Sequence, residues 1–449
     1  MISYLRYYWF LLLSSFWFRP SLIALSALPA SVAALAMDQS MIIPWLTDSE
    51  FLFRSGIEGA RQILTAVIGA LITVTSLVFS MTVVAVSITA SQLGPRIIQL
   101  FTKGHITQIT LGTLVGNLIF AFVVLRAISG PGTGEDLAPT LSLTLAILGT
   151  LFNLGLLIYF LHHMAQKIDA DAVISTVSGE LSDTISRAVE SGVSKTPAQD
   201  FDEAREELDH FSHAHITPLY ASTTGYMEII ETGELLSLAE DQNIIVHVTE
   251  KPGRFIIKGT PIGKIYGQTP LEDDLASDIL NTVVIGQQRT MAQDIEFSIA
   301  AMVEIALRAL SPGLNDPFTA ITCIDRLAAG MAEMMSHGLP KAVFRGGRDE
   351  LRLIIAPATF QGVFDTAFNG IRQDCAGKIS IVTRILEVLT NLAYLVENNE
   401  QQEAVLAHAD RIMNAAKAIS CDNADRVDLD TRIAALTAQL NKSGRKTAT

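Results

Sequence analysis

Cysteine is scarce. Cys323, Cys375 and Cys421 are the only three in 449 residues, far apart and odd in number. A disulfide framework is not expected from them, and a reducing compartment fits best. Positive charge is also short, with 32 Lys and Arg against 46 Asp and Glu. The deficit is uneven. Up to Gln166, seven basic and six acidic residues nearly cancel, whereas the remaining 25 basic and 40 acidic residues leave a net of −15. Such an acidic part repels phosphate backbones, so nucleic acid is not an expected partner. The chain has no G-x-S-x-G, no Walker loop and no Cys-x-x-Cys pair. With no nucleophile or metal constellation standing out, an enzyme is the least favoured class, and neither catalytic residues nor a cofactor are assigned.

Apolar sequence is what the chain has in plenty: 49% of residues are hydrophobic and mean hydropathy is +0.36. Four stretches are long enough to span a bilayer, near 20–37, 62–90, 106–125 and 140–162. The aromatic run "YYWFLLLSSFWFRP" before the first suits a headgroup zone, and Pro20 suits a first helical turn. A signal peptide fits this terminus less well, because its n-region is aromatic and Pro20 interrupts the apolar run. The loop "SQLGPRIIQLFTKGH" carries Arg96 and Lys103 and no acid, while "SGPGTGEDLAP" has no basic residue. This bias places both termini inside, in a multi-pass membrane protein.

The second span has no charge from Gln62 to Pro95. At 100° per residue, Gly69, Thr73, Ser76, Ser80, Ser87 and Ser91 fall on one face of it. Small and hydroxyl residues let helices approach closely and offer hydrogen bonds, which is their common use in lipid. In a homo-oligomer the same face could instead line a narrow path. No span has an ionisable residue at its centre, which counts against proton relays and coupled transport. Asn117 and Asn153 read as interhelical glue.

The soluble part is expected to be α+β. After the spans (1–166) come a membrane-proximal helix and acidic linker (167–215), a small β-rich module (216–270) and a mainly helical part (271–449). Ile168, Val173, Val177, Leu181, Ile185 and Val189 form the stripe of the first helix. "KTPAQDFDEAREELDH" reads as a poorly periodic linker. His210, His213 and His215 stand close together, but without an obvious fourth ligand they read as a solvated loop and not a metal site. The β module shows turns at Pro252-Gly253 and Gly259, and its pattern resembles hairpins of barrel-sandwich carriers. It lacks their Met-Lys pair, so a swinging-arm role is not expected. Leu351–Ile355 reads as a further strand, with helices from Phe360 on.

"RALSPGLNDPFTA" is dense in polar residues and helix breakers, and it sits in the wider segment "RTMAQDIEFSIAAMVEIALRALSPGLNDPFTAITCIDRL". A helix is expected over Met291–Leu310, ended by Ser311-Pro312-Gly313, with Asp316 and Pro317 starting the next as N-cap and first-turn residue. Glu304 and Arg308 are spaced to pair on one face. Arg289, Gln293, Asp294 and Asn315 are left over, and with Glu304, Arg308 and Asp316 they form either a buried polar network or a site for a small polar ligand. The network is the default.

"SFWFRP", "TSLVFSMTVVAVSITASQLGPR", "KPGRFIIKGTPI" and the segment from Arg289 to Ala320 together resemble the predicted bacterial membrane proteins grouped as domain of unknown function 2254. The resemblance runs from about Ser15 to beyond Arg372. It implies an inner-membrane protein with an N-terminal membrane region, and brings no activity, ligand or catalytic residue. The leading expectation is a homo-oligomeric channel or passive transport protein with a cytoplasmic regulatory domain. The alternative is a membrane-anchored sensor or scaffold without transport.

Overall fold

The computed structural model describes residues 17–39, 56–93, 105–129, 139–167, 169–209, 215–269, 273–375 and 377–447. The aromatic N-terminal run before Trp17, most of both charge-biased loops, Ile168, His210 and His213 lie outside these residues. The chain divides near Ala172 into two compact units.

Among the described residues, the first unit holds four helices long and apolar enough to cross a membrane: α1 Phe18–Gln39, α2 Ile57–Leu93, α3 His105–Ile128 and α4 Thr140–Lys167. Each covers a span expected from hydropathy. Their core is small and apolar, with Ala60, Leu64, Phe120, Ala121, Val124 and Leu143 at its centre. Glycine sets the closest approach. A Cβ on Gly112 would stand 3.0 Å from Ile23 Cβ and 3.1 Å from Pro20 Cα, and one on Gly116 would stand 3.5 Å from the Ile23 carbonyl oxygen. This G-x-x-x-G lets α3 lie tightly on α1. Polar side chains tie the other helices. Asn117 Nδ2 donates to Thr150 Oγ1 at 3.1 Å, and Asn153 Nδ2 to the Thr113 carbonyl at 3.4 Å, the glue expected of both. The Asp38 carboxylate, near the end of α1, accepts from the Leu141 and Ser142 amides at 2.9 Å each and from the Ser142 hydroxyl at 2.6 Å. It caps α4 from another helix, satisfying amides that no residue of α4 reaches.

The second unit begins with α5 Ala170–Ser191, whose buried face is Val173, Ile174, Val177, Leu181 and Ile185. Then come β1 Val193–Ser194, α6 Pro197–Asp209, β2 His215–Tyr220, β3 Gly225–Ile230, α7 Thr232–Asp241, β4 Ile245–Val248, β5 Phe255–Ile256 and β6 Pro261–Gly267. The segment read as a linker is therefore corrected to a helix, α6. Its charge density hid a short stripe, Phe201, Ala204 and Leu208, that packs with Ile245 and Ile354 of the sheet. Next are α8 Asp273–Asn281, β7 Val283–Gly286, α9 Ile295–Leu310, α10 Pro317–His337, β8 Leu339–Pro340, β9 Val343–Arg345 and β10 Leu351–Ile355. Four helices complete the described chain: α11 Phe360–Asp374, α12 Ile379–Tyr394, α13 Asn399–Ala418 and α14 Asn423–Thr447.

Two sheets share one core. The larger has the order β2-β6-β4-β10-β9, with only β4 and β10 parallel, and the smaller has the order β5-β3-β7. Three strands from beyond residue 270 thus complete the sheets of the module. Met227, Leu235, Val246, Ile265, Ile279 and Leu353 fill the space between them. Pro218 sits in the edge strand β2, where a missing N–H blunts further strand pairing.

The helical part is held by α11, whose Phe360, Phe364 and Phe368 recur every fourth residue and are fully buried. Its helices carry side-chain caps: Asp294 on α9, Asp316 on α10, Thr359 on α11 and Asn398 on α13. Met291 lies outside the helix expected to begin there. Asp294 accepts from the Phe297 amide, and that cap starts α9 at Ile295.

Candidate functional site: a charged cavity beside the first turn of α9

The Pro252-Gly253 hairpin and the start of the Arg289–Ala320 segment meet at one point. The Pro252-Gly253 turn lies against Asp294. Gly253 has φ +90°, and a Cβ there would stand 1.9 Å from Asp294 Oδ2, so only glycine fits. Arg289 grips the same carboxylate with two bonds, Nε to Oδ2 at 2.5 Å and Nη2 to Oδ1 at 3.2 Å. The Arg289 guanidinium also lies over the Phe297 ring, 5.2 Å from its centroid. Burial pushes the Asp294 carboxyl above its usual range, and the Arg289 hydrogen bond opposes that push. Two residues on, in the same first turn, Lys251 Nζ donates to Glu296 Oε1 at 2.5 Å in a half-buried pair. Gln293 spans to the sheet, accepting from the Ile230 amide at 2.9 Å and donating to its carbonyl at 3.1 Å.

These residues border a cavity of about 280 Å³. The C-terminal half of α5 supplies Thr184, Arg187 and Ala188, and the segment after α10 supplies Lys341 and Phe344. The end of β10 and the loop to α11 close another side with Ile355 and Pro357. Arg187 is held in place by its bonds to the Thr184 hydroxyl at 2.9 Å and the Met291 carbonyl at 3.4 Å.

The site residues expected from sequence divide into three places. Arg289, Gln293 and Asp294 come together, with Gln293 and Asp294 in the cavity wall. Glu304 and Arg308 pair at 3.5 Å further along α9. Asn315, at φ +44°, and Asp316 form the corner at the other end of α9, about 24 Å away at the usual helical rise. Asp316 accepts from the Phe318 and Thr319 amides and the Thr319 hydroxyl. Those bonds, led by the Thr319 hydroxyl, hold its carboxyl below the usual range. Sequence reasoning missed Arg187, Lys251, Glu296 and Lys341 as neighbours. Lys251 lay in a noted hairpin, but nothing in local spacing joins four positions scattered over the unit.

On α2, Gly69, Thr73, Ser76, Ser80, Ser87 and Ser91 are all exposed on the protomer. The helix packs on its neighbours through another face, Ala60, Leu64, Leu71 and Val78. The Thr73 hydroxyl donates to the Gly69 carbonyl at 3.0 Å, and that of Ser91 to the Ile88 carbonyl at 2.8 Å. His215 is exposed at the start of β2, and among the described residues no group of three His, Cys, Asp or Glu is arranged to hold a metal.

No solved structure matches the chain. It is similar to an uncharacterized protein of Mycobacterium bovis and to one of Mycobacterium tuberculosis strain H37Rv. Each is 26% identical over 381 residues, covering 84% of this chain and 72% of the relative. A family model described as a predicted membrane protein matches residues 13–391. The four apolar helices and the mixed unit after them fall largely within that range, and the chain belongs to this predicted membrane protein family, domain of unknown function 2254.

Proposed function

We propose that this is a bacterial inner-membrane protein whose second unit senses a small molecule on the cytoplasmic side. One observation carries the reading: the cavity beside α9, walled by charged side chains from four separate parts of the chain. A recess with a mostly apolar wall and a few convergent polar groups is the usual form of a small-molecule site. Its wall includes α5, the first helix after the last apolar helix in the chain, so occupancy would bear on the segment that leads to the membrane region. The test is a fragment screen by ligand-observed NMR on the full-length protein in lipid nanodiscs, repeated with Ala358→Trp, which fills the cavity. Hits that disappear in the variant support the reading. A screen without hits, or hits indifferent to the variant, removes it.

A second reading, a homo-oligomeric channel or passive path, is favoured by the uncovered hydroxyl face of α2. An apolar recess of about 300 Å³ adjoins that face at Ser80, between Val84 of α2 and Met164 of α4, and could receive side chains of a second copy. Ion flux in liposomes and the oligomeric state in detergent test it. A monomer that conducts nothing, with Ser80→Leu behaving as wild type, would count against it.

A further inference from the structure

We infer that the cavity beside α9 takes a small organic anion with an apolar body. The inference rests on the sensor reading above and adds the chemical class of the ligand. Its first support is charge. Asp294 is matched by Arg289 and Glu296 by Lys251, each at 2.5 Å. Two further cations line the same cavity, Arg187 and Lys341, and neither has a carboxylate within ion-pair distance among the described residues. Arg187 spends its bonds on a hydroxyl and a carbonyl, which leave its charge uncompensated. The Lys341 side chain runs over Gly192, with its Cδ 3.3 Å from where a Cβ would stand. A lining with surplus positive charge is notable in a part of the chain whose net charge is −15. Chance placement in that background would give an acidic recess.

The second support is shape and polarity. Ile230, Ile295, Phe344, Ile355 and Pro357 make an apolar wall. A fully hydrated inorganic anion gains nothing from that wall, whereas a carboxylate or phosphate monoester on an aromatic or aliphatic body uses both parts. The acids Asp294 and Glu296 are already neutralised by Arg289 and Lys251, so they offer little attraction to a cationic ligand. The Lys251–Glu296 pair also joins the hairpin at Pro252 to the first turn of α9, and Arg187 is tied to the segment before α9 through the Met291 carbonyl.

The test uses the full-length protein in phosphatidylcholine nanodiscs and three probes of one shape: phenyl phosphate, phenylacetate and the uncharged benzyl alcohol. Binding is read by isothermal titration and by saturation-transfer NMR. The expected result is that at least one anion binds about tenfold or more tightly than benzyl alcohol, as a charge-assisted bond predicts. Lys341→Gln should weaken that anion several-fold and Lys341→Glu should abolish it. Lys258→Glu, on the exposed turn after β5, should leave it unchanged. Melting temperature without probe shows whether each variant is folded. Because Lys341 is exposed, its variants should melt as wild type. If benzyl alcohol binds in the cavity as well as the anions do, the anion assignment fails while the sensor reading stands. If Lys341→Glu leaves anion binding intact, it also fails. If no probe and no fragment binds, both readings fail together.

Discussion

At Asp294 one carboxylate performs two tasks: it caps α9 and it neutralises Arg289 against the Pro252-Gly253 turn. Asp294→Ala removes both. The cap alone is worth about 1 kcal/mol, and the partly exposed Arg289 adds roughly as much when left unpaired. Asp294→Asn keeps a competent cap and should recover about half of the loss in thermal melts. Recovery of nothing would mean that the ion pair dominates. His408 makes a second case. It is 1% exposed, against Phe364 and Phe368, with Nε2 3.1 Å from Asp365 Oδ1. Burial pushes its pKa down to about 4, against the pull of Asp365. The unfolded chain takes up this proton near pH 6.5, and the folded chain refuses it until about 4. Stability should therefore fall as pH drops from 6.5 to 4, by about 3 kcal/mol, and level off below. In His408→Leu that acid slope should vanish; a slope as steep as wild type would place its origin elsewhere. The sequence shows His408 as one histidine among nine and gives no sign of this burial.

Two glycines separate the faces of the apolar helices. A Cβ on Gly112 would stand 3.0–3.1 Å from Ile23 and Pro20, closer than ordinary contact, whereas Gly69 has no atom within 4 Å of where a Cβ would stand. Gly112→Leu should force α1 and α3 apart and cost about 1–3 kcal/mol, seen as a lower melting temperature in detergent. Gly69→Leu should leave the melting of the protomer unchanged. If it shifts the size of the particle by light scattering, the α2 face is an interface between copies; if it does not, that face meets lipid. The spans were legible because twenty apolar residues in sequence have few alternatives to a membrane helix. The G-x-x-x-G at Gly112 and Gly116 was not singled out from the sequence, and nothing in its local spacing names α1 as the helix it meets. For α6, composition misled: three apolar positions among seven charges were enough once a sheet stood beneath them. The corner from Ser311 to Asp316 was read correctly as a cap followed by proline, since both are local chemistry.

The second unit closes its own cores, one between the two sheets and one under α6, and its helices pack through α11 and α12. A fragment starting at Ala170 should therefore express as a soluble protein with one cooperative thermal transition by circular dichroism. An aggregated or molten fragment would show that the unit needs the preceding helices. From residue order alone came the four apolar spans, the α+β character of the rest of the chain, the strand at Leu351–Ile355, and the caps at Asp316 and Pro317. All are set by neighbours within a few positions, through hydropathy, helical period and turn chemistry. Tertiary structure alone decided that the Gly253 turn meets Asp294, that Arg187, Lys251 and Lys341 share one cavity, and that Thr73, Ser76, Ser80, Ser87 and Ser91 of α2 are exposed on their own protomer. Those adjacencies join segments far apart in the chain, and only the packing of whole elements, through which faces they bury, brings them together.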